Sequence, residues 1–153
     1  MSFGQEISIE QIDRKVKSIE SDITLSPTKF EFIILPGITT GSKEICKIWH
    51  KKRKIYKIVQ ELEYINYISR TSIYFENEVP IKVIEIEENF KQVKDGLDDS
   101  NSIEVFKAII YVFDWDNDKS KIIKKGKRIF TEGSCATFDY EPLIDNTKNS
   151  IPD

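Results

Sequence analysis

The sequence IEVFKAIIYVFD, residues 103–114, is the longest nearly continuous apolar run in the chain. At the two-residue period of a strand both of its faces are apolar: Lys107 interrupts one face, and the other carries charges only at its ends. β-Branched and aromatic residues dominate, which favours a strand over a buried helix. A strand that is apolar on both faces is expected to be covered on both. We therefore predict a central strand here, between turn-type sequences at 95–102 (DGLDDSNS) and 114–119 (DWDNDK).

Length and composition predict one folded domain. A chain of 153 residues fits a single domain and needs no metal or disulfide to fold. Charged residues make up 32% and hydrophobic residues 39%, and the net charge of -3 argues against a dedicated nucleic-acid binder. No secretory signal is visible, no apolar run approaches the roughly 18 residues of a membrane span, and Cys46 and Cys135 show no zinc or disulfide spacing. We expect a cytoplasmic protein without a cofactor.

The N-terminal part predicts an amphipathic helix over residues 8–23. Its apolar stripe recurs at spacings of three and four and consists of Ile9, Ile12, Val16, Ile19 and Ile23. Ser8 and Gln11 have the spacing of a capping box. The stripe favours a helix packed on its own domain, and a short coiled-coil or docking helix is the alternative.

Residues 43–69 give the longest helical pattern. The apolar positions that recur at helix spacing are Ile45, Ile48, Ile55, Val59 and Leu62. Two alternatives stay open: a break near residues 51–54 into two helices, and a strand in the first half.

The other segments read mostly as strands. We predict one strand at 30–35 and a hairpin of 71–76 with 79–87 around Asn77 and Glu78. The apolar residues of 79–87 change parity after Val83, which indicates either a β-bulge near Val83 or a strand that is apolar on both faces. Residues 88–94 are expected to be a short helix or irregular, and short strands are expected at 120–124 and 127–131.

This order predicts an α+β domain over residues 1–138 with a polar C-terminal tail at 139–153. The expected architecture is a mostly antiparallel sheet of about five strands. It would pack with one long helix and the N-terminal amphipathic helix. A ferredoxin-like β-α-β-β-α-β core is compatible with the order.

No catalytic or metal motif is complete. In the loop at 36–42, three residues separate Gly37 from Gly41 and Ser42 precedes Lys43, so the P-loop pattern fails. His50 is the only histidine, and Cys46 four residues earlier supplies at most a second ligand on a helix face.

The alternating acids of the 114–119 turn resemble the start of a calcium loop. Its sixth and twelfth positions are Lys119 and Lys125, where glycine and a glutamate ligand are required. We therefore predict a solvated turn without metal. Trp115, flanked by acids, is predicted to contact a basic partner protein together with Asp114, Asp116 and Asp118.

Two basic clusters, at 50–54 and 121–128, are candidates for nucleic-acid contact, since lysine and arginine beside aromatics can bind nucleic acid. Their residues are Lys51, Lys52, Arg53, Lys54, Lys124, Lys125, Lys127 and Arg128. The two clusters would have to share one face of the fold.

The absence of a catalytic motif favours a non-catalytic protein-binding domain, such as an inhibitor, adaptor or assembly component that acts on a partner protein. One alternative is a nucleic-acid-binding or nucleic-acid-processing protein that uses the two basic clusters. Another is a structural subunit that self-assembles through the N-terminal helix.

Overall fold

A computed structural model describes residues 8–33, 43–93 and 96–151. Seven strands follow one another in a single antiparallel sheet, each paired with the next along the chain. They are β1 (Pro27–Ile33), β2 (Lys43–Lys51), β3 (Lys54–Glu63), β4 (Tyr67–Glu76), β5 (Val79–Val93), β6 (Gly96–Asp114) and β7 (Lys119–Gly126). Helix α1 (Ile9–Ser21) precedes the sheet, and a 3-10 turn (Thr137–Tyr140) leads into helix α2 (Glu141–Ser150) after it.

The predicted fold class is wrong, because the expected long helix at 43–69 is β2, β3 and the start of β4. Its apolar residues come from both faces of the sheet: Ile48 and Ile58 pair in register, while Ile45 and Val59 have the opposite parity. Superimposed, the two alternating sets imitate a helical spacing of three and four. Lys52, with a positive φ of 53°, makes the tight turn between β2 and β3. The sheet therefore has seven strands, and a ferredoxin-like order with its two crossover helices is excluded.

Three further expectations are wrong at the ends of strands. Residues 88–93 continue β5 and are not a short helix, and β6 begins at Gly96 inside the expected turn. Residues 127–131 are not a strand. Gly126 has a φ of +78°, and a Cβ there would lie 2.0 Å from the Val105 carbonyl oxygen. The ladder ends at this close approach, which only glycine permits.

The strand at residues 103–114 is confirmed within β6, and both of its faces are covered. Ala108, Ile110 and Val112 point into one core, while Ile109 and Tyr111 point into another. The 71–87 hairpin is confirmed as well: Asn77 and Glu78 both have positive φ, as a two-residue type I′ turn requires.

A bulge near Val83 is also confirmed. Tyr74 pairs with Lys82 and Phe75 with Pro80, so Ile81 has no partner on β4. The extra residue reverses the parity of the strand, which explains why Ile81 and Val83 lie in different cores.

One sheet face packs against α1 in the smaller core, here called the α1 core. Ile12 is fully buried against Tyr74, Ile81 and Tyr111. The capping box is confirmed, with reciprocal bonds of 2.8 and 3.2 Å between Ser8 and Gln11. Ile23 lies beyond the helix and is 96% exposed, so it does not belong to the stripe.

The other face carries the main core, which α2 and the chain before it cover. Where we expected a polar tail beyond Asp139, Tyr140, Ile144 and Ile151 are buried against the sheet. These apolar residues are sparse, and the polar residues between them occupy the outer side of a short helix. None of the described helices is long and apolar enough to cross a membrane.

Candidate functional site

The predicted contact residues of the 114–118 turn are largely engaged within the chain. Trp115 is half-buried against the main core, and its carbonyl oxygen accepts a hydrogen bond from Thr137 Oγ1 at 3.0 Å. Asp118 accepts a hydrogen bond from the Thr137 backbone N–H at 3.0 Å. Hydrogen bonds from Asn117 hold the pKa of Asp114 below its usual range. The turn thus holds the C-terminal segment in place through its hydrogen bonds with Thr137. Asp116 is exposed, and partner contact through this turn stays a prediction.

The two basic clusters lie on different strands, with β4, β5 and β6 between them in the sheet. Arg53, in the β2–β3 turn, donates to the carbonyl oxygens of Ile151 at 3.2 Å and Lys148 at 3.3 Å. Arg128 forms an ion pair with Glu85. Both arginines therefore hold the C-terminal part of the chain in place. The exposed remainder of the clusters consists of Lys51, Lys52, Lys54, Lys124, Lys125 and Lys127.

Cys46 and His50 cannot form the helical ligand pair that we considered. They lie on one strand, and four residues of strand span about 13 Å. The two ring nitrogens of His50 are 2.8 Å from Thr28 Oγ1 and 2.7 Å from the Lys52 carbonyl oxygen. Burial raises the pKa of the Cys46 thiol, which disfavours a reactive thiolate. Within the described residues, no three acidic, histidine or cysteine side chains are grouped to hold a metal ion.

The main-core face of the sheet changes from apolar to polar along its strands. Successive strands contribute one apolar row: Ile48, Ile58, Ile73, Val83 and Ile110. The next row on the same face is Cys46, Gln60, Thr71, Glu85 and Ala108. A polar row on a covered sheet face indicates either buried hydrogen bonding or a binding site.

Two adjoining cavities open onto this polar row, and together we call them the cleft. One, of about 640 Å³, lies between α2 and the strands β1 to β3. The other, of about 470 Å³, lies between residues 132–143 and the strands β3 to β5. Gln60, Asp139 and Leu143 line both cavities. Each is of the size that small ligands or single side chains of a partner occupy.

The cleft has an excess of negative charge. Its acidic lining residues are Glu44, Glu85, Glu132 and Asp139. Arg128 neutralises Glu85. In the described part of the chain, no basic side chain forms an ion pair with the other three. Gln60 donates a hydrogen bond to Glu44 at 2.5 Å. Hydrogen bonds from Ser134, together with the charge of Arg128, lower the pKa of Asp139, so this acid is ionised near neutral pH.

Tyr140 adds a buried hydroxyl close to Glu85. The residue is 4% exposed and lines the cleft. Burial, followed by the negative charge of Glu85 and a side-chain hydrogen bond to it, raises the pKa of this hydroxyl. The hydrogen bond is poorly formed, because no atom among the described residues has ordinary hydrogen-bond geometry to the hydroxyl. A ligand in the cleft that donates to the hydroxyl oxygen would add a well-formed hydrogen bond.

Glu87 fixes the wall of the cleft that carries Glu132 and Gly133. Its carboxylate is 1% exposed and accepts hydrogen bonds from the backbone N–H groups of Ile129, Phe130 and Thr131 at 2.9 to 3.3 Å. The Thr131 hydroxyl adds a bond of 2.6 Å. Burial alone would raise the pKa of Glu87, but these hydrogen bonds outweigh it and lower the pKa.

The sequence did contain a signal for this region that we missed. Glu85 and Glu87 have the same parity as the buried Val83, so two acids fall on a face that packs inward. Nothing local indicated that residues 127–143 would return to cover them. Comparison with known proteins finds no matching family, no similar curated protein and no similar solved structure.

Proposed function

We propose that the chain is a non-catalytic protein-binding domain whose cleft receives a positively charged side chain of a partner protein. One observation carries the proposal: three carboxylates that form no ion pair with a described basic side chain line a cleft that also holds the poorly bonded hydroxyl of Tyr140. An ammonium or guanidinium group would satisfy both, because it neutralises the acids and donates to the hydroxyl oxygen.

The apolar part of the cleft supports a lysine or arginine side chain as the occupant. Phe30, Ile48 and Leu143 line the same cavity as Glu44 and Asp139. Lysine and arginine combine an apolar stem with a charged end, so they match a cleft with an apolar wall and acidic groups. An acidic ligand would be repelled, and a purely apolar one would bury the carboxylates without an opposite charge.

Peptide binding tests the proposal. Glycine–serine peptides with one central lysine, arginine, norleucine or glutamate are titrated into the full chain by calorimetry, with cadaverine as a free diamine. We expect lysine or arginine peptides to bind at least about tenfold more tightly than norleucine, a difference of one charge-assisted hydrogen bond, and glutamate not to bind. Equal binding of all four peptides would contradict the proposal. Binding of cadaverine as tight as that of the lysine peptide would make the ligand a free amine.

Matched variants locate the site. The double variant Glu44→Gln with Asp139→Asn removes two cleft charges, whereas Glu10→Gln with Asp145→Asn removes two exposed charges on α1 and α2 outside the cleft. We expect only the first to abolish the preference for lysine over norleucine. An equal loss in both would show a general effect of net charge.

The two alternative functions have different support. The apolar stripe of α1 packs against the sheet in the α1 core, which weighs against self-assembly through this helix. The exposed lysines of β7 still support the nucleic-acid hypothesis.

A further inference from the structure

The last strand, β7, has a neighbour on one side. It pairs with β6, and no other described strand lies against its outer edge. Six of its eight residues are lysine or isoleucine, and all six are exposed, as is Gly126. Ser120 is partly buried. We propose that this edge binds an extended, acidic segment of a partner protein as an eighth strand. The surface is separate from the cleft, and the proposal does not depend on the function proposed for the cleft.

The hydrogen bonds between β6 and β7 determine which backbone groups of β7 face outward. The Lys127 N–H donates to the Val105 carbonyl oxygen at 3.0 Å, which marks a hydrogen-bonded pair at this end of the ladder. Hydrogen-bonded pairs alternate along an antiparallel ladder, so Lys121, Ile123 and Lys125 bond to β6. The N–H and C=O groups of Ser120, Ile122 and Lys124 therefore point away from the sheet. Such a row of unpaired groups is a template for another strand.

The side chains of β7 select the charge of that strand. Lys121 is opposite Tyr111 on the α1 side, and Lys124 is opposite Ala108 on the main-core side, so both faces of the edge carry positive charge. No ion pair involves Lys121, Lys124, Lys125 or Lys127 within the described residues. Ile122 and Ile123 are 38% and 45% exposed and give apolar contact between the lysines.

Cross-strand pairs of opposite charge stabilise a sheet, and like charges directly opposite destabilise it. A second copy of β7 paired symmetrically would place Lys121 opposite Lys124, which disfavours self-pairing. Acidic side chains on the added strand would pair with the lysines on both faces. The lysines therefore both discourage aggregation at this edge and favour an acidic partner.

Three peptides and one oligonucleotide test the proposal on the full chain. They are an eight-residue peptide of glutamate alternating with valine and threonine, its lysine counterpart, the acidic peptide with its four central amide nitrogens methylated, and a single-stranded DNA of similar charge. We expect the acidic peptide to bind in fluorescence anisotropy. The lysine and the methylated peptides should each bind at least about tenfold more weakly, because one loses the charge pairing and the other the backbone hydrogen bonds.

Variants of the protein separate backbone pairing from charge. Ile122→Pro removes an N–H that points outward and none that bonds to β6, and Ile122→Val is its control. The triple variant Lys121→Gln, Lys124→Gln and Lys125→Gln is compared with a triple variant of exposed lysines elsewhere, Lys17→Gln, Lys47→Gln and Lys148→Gln. We expect Ile122→Pro and the β7 triple variant to lose the acidic peptide, and both controls to retain it, with unfolding curves confirming that each variant is folded.

Three results would overturn the proposal. Equal binding of the methylated and unmethylated peptides would show attraction by charge alone. Tighter, strongly salt-dependent binding of DNA would assign the lysines to nucleic acid. If no probe binds, the lysines serve only to discourage aggregation at this edge.

Discussion

The two faces of the sheet are covered in different ways. On the α1 side, the apolar stripe of the helix fills the core, with Ile12 completely buried. The polar groups at its rim are paired: the Tyr74 hydroxyl donates to Glu20, and the Tyr111 hydroxyl donates to Asp13 at 3.2 Å. On the main-core side, α2 covers the apolar row but leaves the cleft beside the polar row.

The clearest difference between the faces is in their tyrosines. Tyr74 and Tyr140 are buried to a similar degree, but among the described residues the Tyr74 hydroxyl makes a well-formed hydrogen bond to Glu20, whereas the Tyr140 hydroxyl has only a poorly formed one to Glu85. A closed face with satisfied polar groups serves stability. A face with poorly satisfied polar groups and acids without ion pairs costs stability and is suited to binding.

The largest effect on stability is expected from truncating a core side chain on the closed face. Ile12→Ala removes a fully buried side chain and should lower the free energy of unfolding by about 2–5 kcal/mol in urea denaturation. Ile23→Ala, at an exposed position just beyond the same helix, should change it by less than about 0.5 kcal/mol. Similar values for the two variants would mean that α1 is not packed on the sheet.

The next largest effect concerns the carboxylate that holds the wall of the cleft. Glu87→Gln keeps the shape of the side chain but removes the charge that accepts the backbone bonds, so we expect a loss of about 1–3 kcal/mol. Glu76→Gln breaks a partly exposed ion pair with Lys15 and should cost less than about 1 kcal/mol. Calorimetric unfolding of both variants measures the difference, and an equal cost would contradict the structural role of Glu87.

Replacing each of the two tyrosines with phenylalanine tests the contrast between the faces, because only one of the two variants should lose stability. Tyr74→Phe loses a hydrogen bond to a carboxylate and should destabilise the protein by about 1 kcal/mol or more. Tyr140→Phe removes a hydroxyl whose hydrogen bond to Glu85 is poorly formed, so stability should stay constant or rise by up to about 1 kcal/mol. In the same variant, binding of the lysine-centred peptide should weaken. A loss of stability in Tyr140→Phe equal to that in Tyr74→Phe would show that the hydroxyl is already paired.

The smallest effect is a dependence of stability on pH. The folded-state pKa of Glu87 lies below its unfolded value of about 4.3, so the unfolded state binds protons first as the pH falls. The stability from this carboxylate is complete above the unfolded pKa and is lost as the pH falls through the folded pKa. Urea midpoints between about pH 6 and about pH 3 should therefore decrease less steeply in Glu87→Gln than in the wild type. Parallel curves would exclude Glu87 as a source of acid sensitivity.

Local patterns in the sequence were sufficient for part of the fold. The strand at 103–114, the capped helix α1 and the turn at Asn77 depend on neighbouring residues, and all three are confirmed. The region 43–69 was misread because strands with apolar residues on both faces produce spacings that a helix also produces.

The cleft was beyond prediction from the sequence for a different reason. It forms where residues 132–147, distant in the chain, pack over β1 to β5, and such non-local packing leaves no fixed spacing. Of the predicted contact residues, Arg128 bonds to a cleft residue, through its ion pair with Glu85. The acids at 85 and 87 were visible as exceptions on an inward face, but their partners were not.

The most direct test of the account is to map a bound lysine side chain on the protein. The ¹⁵N-labelled full chain is titrated with the lysine-centred peptide, and changes in backbone amide shifts are followed by NMR. We expect the largest changes at Gln60, Thr71 and Tyr140, and none at Tyr74 or Ile12 on the closed face. Changes concentrated on the α1 side, or the same changes with the glutamate-centred peptide, would contradict the cleft as the binding site for a positively charged side chain.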